Sequence, residues 1–261
     1  MVKSIISDMD GVVYRGNELI PGAQEFVQNL LEFGIRFLFL TNVSEKTPAD
    51  LLAKMQDLGI QGLEEKHFIT AGMATAMFLA RQHPGARVYC IGGSGLQHEL
   101  GRVGLVLTED RPDYVVVGKT RDFHFSHIRH AVNFIQHGAK FVGANPDLID
   151  PTEQGFEPAC GSLLASIGAA TGQKPYIVGK PNSLMMTLAT RMLGVHPDDT
   201  LMIGDRMDTD IVGGLEAGMT TALVLSGVTT PEMLDSFPYK PDHVFQSVGD
   251  IDFQKLWRVE V

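Results

Sequence analysis

The sequence predicts an α/β fold: a doubly wound, mostly parallel sheet with a second α/β module inserted into it. Three observations carry this. Short apolar runs alternate along the chain with amphipathic segments of helical length, the pattern of consecutive βα units. Prolines stand where helices begin, at Pro21 and Pro48. Glycines stand where they end, at Gly34, Gly59, Gly104, Gly138, Gly172, Gly194 and Gly218. Two interruptions, RQHPGAR at 81–87 and GQKPY at 172–176, bracket a stretch with strands and helices of its own. A core domain is expected over 1–82 plus 176–261. An inserted module is expected over 83–175, packing as a unit and hinging near Pro84 and Pro175.

The elements follow in order. Strands are expected at SIISD (4–8), RFLFLT (36–41), RVYCIG (87–92), YVVVG (114–118), KFVGA (140–144), YIVG (176–179), TLMIG (200–204), TALVL (221–225) and HVF (243–245). Most are rich in β-branched or aromatic residues and close on Gly or a polar residue. Helices are expected over 22–33, 48–58, 73–82, 96–103, 126–137, 162–171, 183–193 and 210–217. In such sheets ligands bind at the carboxyl ends of strands. Asp8, Thr41, Lys180 and Asp205 all fall there.

Bulk properties narrow the partners. The chain has 261 residues, 44% apolar and 20% charged, and a net charge of −10. It is long enough for one large or two small domains. The negative balance argues against a nucleic-acid polymer, whose phosphates would be repelled. Cys90 and Cys160 are the only cysteines, too few for a disulfide framework and in keeping with a reducing cytoplasm. MVKSIISDMDG carries no apolar signal region, and no run of about twenty apolar residues offers a membrane span.

The chemistry concentrates in two acidic strand ends. Asp8 and Asp10 follow the first apolar run, with Gly11 where the backbone must turn sharply. Asp205, Asp208 and Asp210 follow another apolar run about two hundred residues later. Paired carboxylates at the mouth of a buried strand repel each other and lose hydration, a costly arrangement unless a cation or a reaction needs it. One divalent-metal site assembled by the fold is expected. An aspartate can attack a phosphoryl group and hold it as an acyl phosphate. Mg²⁺, a hard cation that takes oxygen ligands, suits such chemistry. Asp8 and Asp205 would supply carboxylate oxygens, and Asp10 would transfer protons. Thr41 and Asn42 would offer a hydroxyl and an amide to phosphate oxygens, and Lys180 a point charge.

These residues carry a resemblance. DMDGVV, the TN of LFLTN, the lysine of VGKP and GDRMDTD resemble the four motifs of the haloacid dehalogenase (HAD) phosphatase superfamily, along the whole chain. IPGA, ANPD at 144–147, PACG at 158–161, VGKP and VLSGV are similar to its NagD-type subfamily, whose large α/β cap is inserted into a Rossmann-like core. The resemblance implies Asp8 as nucleophile and Asp10 as acid/base, whose backbone carbonyl also binds Mg²⁺. It implies Thr41, Asn42 and Lys180 as phosphate binders, Asp205 as metal ligand, and Asp210 as support for the metal's waters. It further implies a cytoplasmic enzyme acting on a small phosphorylated metabolite, a nucleoside 5′-monophosphate such as UMP. A sugar phosphate, pyridoxal phosphate or phosphoglycolate stays open as substrate. A phosphomutase and a non-catalytic phospholigand-binding protein stay open as functions, as does a homo-oligomer. Selectivity would come from the cap, where Asn145, Asp147 and the 155–162 loop are the candidates by position. TNVSEK departs from the T-N-N-S of many relatives, so Ser44 and Lys46 have no implied role.

Bland readings suit other residues. Asp208 reads as a loop or helix-start acid. GGSG at 92–95 reads as a turn before a helix, lacking dinucleotide-binding spacing. His124, His127 and His130 read as a solvated helix face, and the cysteines as small buried apolar residues.

Overall fold

The computed structural model describes residues 2–152 and 155–253. They form two compact units. The first comprises 2–41, 50–69 and 180–253, and the second 42–49, 70–152 and 155–179.

The first unit is built on a six-stranded sheet in the order His243–Phe245, Thr220–Val224, Thr200–Gly204, Ser4–Ser7, Arg36–Thr41, Phe68–Thr70. The pairings from His243–Phe245 through Arg36–Thr41 are all parallel, with Ser4–Ser7 between Thr200–Gly204 and Arg36–Thr41. The central strands are buried along their whole length, which is why they read as continuous apolar runs rather than alternating ones. Alternate side chains still divide between two faces. Ile5, Phe39, Leu201, Ile203, Ala222 and Val224 join Phe26, Val27 and Leu30 of the helix Ala23–Glu32 in one core. On the other face, a Cβ on Gly214 would lie 2.9 Å from Met202 Cβ. The missing side chain therefore lets the helix Val212–Glu216 lie directly on the sheet. Each fully buried Phe, Ile or Leu contributes about 1.5–3 kcal/mol.

The second unit has a five-stranded, all-parallel sheet ordered Tyr176–Ile177, Lys140–Gly143, Tyr114–Val117, Arg87–Ile91, Val106–Leu107. An antiparallel hairpin, Ile149–Thr152 with Gly155–Pro158, adds a small second sheet. The helices Ala71–Gln82, Ser94–Arg102, Phe125–Gln136 and Cys160–Thr171 belong to this unit.

All nine expected strands are present, with ends shifted by no more than two residues. Two features differ from expectation. The second unit is larger than 83–175, taking in 42–49 and the helix Ala71–Gln82. Pro84 and Gly85 break that helix but do not mark the passage between units. Tyr176–Ile177 pairs with Lys140–Gly143 rather than joining the first sheet, so the passage back lies at 179–180. Among the described residues no helix is long and apolar enough to cross a membrane.

Candidate active site

The first unit gathers Asp8, Lys180, Asp205 and Asp210 at the carboxyl ends of its central strands. Asp8 directly follows Ser4–Ser7, and its N–H donates to Ile203 O at 2.8 Å, extending the ladder by one residue. Asp205 directly follows Thr200–Gly204. Asp210 arrives on a single π-turn, Met207–Ile211, in which the N–H groups of Asp210 and Ile211 both donate to Arg206 O. That turn swings Asp210 inward and leaves Asp208 exposed, bonded to Arg206 at 3.0 and 2.9 Å. Asp208, expected as a loop or helix-start acid, is the exposed acid in the first turn of this element.

The carboxylates of Asp8, Asp205 and Asp210 each bring an oxygen within 4.8 Å of the others, and all three residues are buried. The Lys180 ammonium lies 2.8 Å from Asp8 Oδ1 and 2.6 Å from Asp210 Oδ1, and donates to Leu40 O at 3.2 Å. Lys180 does not sit at a strand end as expected. It is the first residue of the returning chain, three residues beyond the strand end at Ile177. Its bond to Leu40 O places it beside buried Thr41, the last residue of Arg36–Thr41. Asp10 is exposed, although its charge is felt at Asp8 and at the buried Tyr14 hydroxyl, both of which it raises. Its carboxylate lies outside the group of three, in which Asp210 stands instead.

Missing side chains shape the site. A Cβ on Gly204 would lie 2.1 Å from Asp210 Cβ, and one on Gly227 only 1.9 Å from Asp205 Oδ2. Gly11, at φ +80°, turns the chain and would place a Cβ 2.5 Å from the same oxygen. The turn around Gly227 also holds Asp205 by hydrogen bonds. Val228 N donates to its Oδ2 at 2.7 Å and Thr229 N to its backbone oxygen at 3.1 Å. Ser226 Oγ ties the turn to Gly11 O at 2.7 Å, and the Arg15 guanidinium donates to Ser226 O. Gly204 and Gly227 fall within the GDRMDTD and VLSGV stretches of the resemblance, but only Gly11, beside the acidic pair, was given a structural role from the sequence.

The charges are unbalanced. Three buried carboxylates face one ammonium, leaving the charge that one divalent cation would neutralise. Burial, with Asp210 and Asp8 beside it, pushes the Asp205 carboxyl up to about 8. Burial raises Asp210 to about 6 against the opposing pull of Lys180, and raises Asp8 in the same direction. Burial alone would lower the Lys180 ammonium, but Asp210 and Asp8 outweigh it and raise it. The donor set is all oxygen and suits a hard cation such as Mg²⁺.

A pH dependence follows. Without metal, the folded protein holds protons on Asp205 and Asp210 that the unfolded chain releases near pH 4. Their contribution to stability is full below pH 4 and is lost as pH rises through 6 and 8. A cation competes with those protons, so its stabilisation grows over the same range. The melting temperature in EDTA should therefore fall between pH 5 and 8.5, and the upward shift caused by Mg²⁺ should be larger at pH 8 than at pH 5.5. A Mg²⁺ shift independent of pH would contradict this electrostatic account.

The other expected residues lie in the second unit. Asn42 Nδ2 donates to Asp147 Oδ2 at 3.0 Å, and Asn145 Nδ2 to Asn42 O at 2.6 Å. Ser44 is fully buried and accepts from Lys119 N at 2.9 Å, a packing role in that unit. Of GGSG, Gly92 and Gly93 precede the helix Ser94–Arg102, while Ser94 and Gly95 open it. His124 caps Phe125–Gln136, and among the described residues no histidine joins a metal-ligating cluster. Cys160 is buried and Cys90 half-buried; burial pushes both thiols up to about 12.

Comparison with known proteins gives a consistent picture. Residues 5–106 match the family described as haloacid dehalogenase-like hydrolase, and residues 177–251 match a HAD-hydrolase-like family. The chain is 43% identical to dihydroxyacetone phosphatase of Corynebacterium glutamicum, over 95% of this chain and 90% of that one. It is 38% identical to ribonucleotide monophosphatase NagD of Escherichia coli, over 96% and 98%. The solved structure of Escherichia coli NagD superposes with a TM-score of 0.92, covering 97% of this chain and 99% of that one. A p-nitrophenyl phosphatase from Archaeoglobus fulgidus superposes with a TM-score of 0.90 at 36% identity, covering 95% and 97%.

Proposed function

The chain belongs to the haloacid dehalogenase-like hydrolases, as a NagD-like phosphomonoester hydrolase, and we propose that it works through an aspartyl-phosphate on Asp8 with Mg²⁺ as cofactor. The observation that carries this reading is the buried group of Asp8, Asp205 and Asp210, whose excess negative charge fits a divalent cation.

In the first half-reaction an Asp8 oxygen attacks phosphorus while the bond to the leaving oxygen breaks. Asp10 gives that oxygen its proton, so the alcohol departs neutral. In the second, Asp10 takes a proton from water as the water oxygen attacks phosphorus. The bond from phosphorus to Asp8 then breaks and inorganic phosphate leaves, with Asp10 protonated again. Asp10's exposure suits an acid that meets the leaving group and later the water. Thr41, Asn42 and Lys180 hold phosphate oxygens, the lysine as a point charge. Asp8, the Asp10 backbone carbonyl and Asp205 would hold Mg²⁺. Asp210 would support its waters or, given its place in the group of three, bind it directly. When bound, the ion neutralises charge developing on the transferred phosphoryl group.

For the substrate we propose a nucleoside 5′-monophosphate such as UMP, in line with the NagD resemblance, with selectivity carried by the second unit. A second reading is dihydroxyacetone phosphate, the substrate named for the 43% identical relative. Turnover of p-nitrophenyl phosphate, UMP and dihydroxyacetone phosphate, with Mg²⁺ and with EDTA, tests both levels. The expected result is Mg²⁺-dependent release of phosphate, silenced by EDTA, with the highest kcat/KM on UMP. Turnover unchanged in EDTA would overturn the metal assignment. Preference for dihydroxyacetone phosphate would establish the second reading.

A further inference from the structure

Asn145 and Asp147 were expected as selectivity residues of the cap, but their contacts in the second unit point elsewhere. The Asn145 side chain is buried, and its amide is used at both ends. Nδ2 donates to Asn42 O at 2.6 Å, and Oδ1 accepts from Asp147 N at 3.1 Å. Asp147 Oδ2 in turn accepts from Asn42 Nδ2 at 3.0 Å. The other passage between units is held by the same loop. Gly179 N donates to Ala144 O at 2.8 Å, and a Cβ on Gly179 would lie 2.8 Å from Asn42 Oδ1 and 3.0 Å from Asn145 Cβ. The outgoing chain at 42 and the returning chain at 179 therefore run side by side against residues 144–147. Behind them, Gly161 N donates to Asp147 O at 2.7 Å, and a Cβ on Gly161 would meet Pro146 O at 2.3 Å. The helix Cys160–Thr171 thus seats the loop closely.

Asn42 is one peptide bond from Thr41, and Gly179 is one peptide bond from Lys180. Thr41 and Lys180 are, with Asn42 itself, the phosphate-binding residues of the proposed mechanism. We infer that Asn145 and Asp147 are positioning residues that clasp the two linkers together, and so set Thr41 and Lys180 for the phosphoryl group whatever the leaving group. Removing the Asn145 amide would deprive the part-buried Asn42 carbonyl and the Asp147 N–H of these partners. A shift of about an ångström in a positioning element costs up to roughly 100-fold in rate.

The kinetic readouts rest on the phosphatase reading above; the exchange readout does not. The test compares Asn145→Ala, Asp147→Ala and Asp147→Asn with wild type on p-nitrophenyl phosphate, UMP and dihydroxyacetone phosphate. It adds competitive inhibition by inorganic phosphate, and amide hydrogen exchange in the Mg²⁺-free protein. The alanine variants should lower kcat/KM for all three esters by one common factor, on the order of 10–100. Inorganic phosphate should inhibit them less well in proportion. Exchange at Asn42, Val43 and Gly179 should quicken while the strand Lys140–Gly143 stays protected. Asp147→Asn keeps an oxygen to accept from Asn42 and should recover most of the loss. If Asn145→Ala does not fold, half-exposed Asp147 still decides the matter. A changed ranking of substrates would return these residues to selectivity and overturn the clasp. Unchanged kinetics, unchanged phosphate inhibition or unchanged linker exchange would overturn it equally. A wild type inert on all three esters would sink the phosphatase reading instead, and exchange alone would then judge the clasp.

Discussion

Asp8→Asn is expected to leave a folded protein with no measurable turnover, a loss on the order of 10⁴-fold or more, as for removal of other nucleophiles. The substitution is nearly isosteric. The amide oxygen can still accept from Lys180, which stands 2.8 Å from the present carboxylate, and one negative charge leaves a crowded buried group. Folding should therefore survive, and the metal-free protein should melt no lower than wild type. An amide cannot form the acyl phosphate, so chemistry stops. Asp10→Asn should behave differently. It keeps the nucleophile but loses the proton carrier, slowing formation and breakdown of the phospho-enzyme by about 10²–10⁴ each. Rapid quench separates the two variants. Clear turnover by Asp8→Asn, free of contaminating phosphatase, would remove Asp8 from the nucleophile's place.

Gly227→Ala should be nearly as damaging, although its residue carries no chemistry. The added methyl would lie 1.9 Å from Asp205 Oδ2 and 2.4 Å from its Cβ, a distance no packing tolerates. Asp205 has little room to yield. Val228 N holds the same oxygen, and Gly11 approaches it so closely that a Cβ there would lie 2.5 Å away. Either Asp205 leaves the cluster or the turn at 226–228 moves away with Val228. The first displaces a carboxylate from the candidate metal site, and the second removes the hydrogen bond that holds that carboxylate in place. Activity at fixed Mg²⁺ should fall about 100-fold, with the half-saturating Mg²⁺ concentration raised and part of the loss recovered at high Mg²⁺. Overpacking should also cost roughly 1–3 kcal/mol of stability. Wild-type Mg²⁺ dependence in Gly227→Ala would show that Asp205 is not held by this turn for metal binding.

The reach of the sequence can be judged residue by residue. Asp8 and Asp205 were legible because each follows an apolar run that could only be a buried strand, where an unpaired carboxylate is costly. Asp210 was legible as the better partner than Asp208, but not its entry into the three-carboxylate group. That depends on a π-turn and on the bare Cα of Gly204, a contact no local pattern announces. Lys180 was expected beside Asp8, and it lies there, but the strand end expected to carry it is absent. YIVG reads as a strand, yet only Tyr176–Ile177 pairs, and it pairs in the other sheet. The bond between Asn145 and Asn42 spans 103 residues, beyond any local periodicity. Strands of two residues, such as Tyr14–Arg15 and Glu18–Leu19, are too short to show a period. The prolines of Ile149–Thr152 and Gly155–Pro158 argued against that hairpin.

The central claim, a covalent phosphate on Asp8, is tested most directly by trapping it. The protein is mixed with Mg²⁺ and ³²P-labelled substrate, quenched in acid within milliseconds, and treated with borohydride to reduce any acyl phosphate. Peptide mapping then locates the modified residue. The account predicts label bound to protein at the quench, lost on reduction, with homoserine replacing aspartate at position 8 alone and no label in EDTA. Efficient turnover without protein-bound phosphate at any quench time, or modification at Asp10, Asp205 or Asp210 instead, would contradict it.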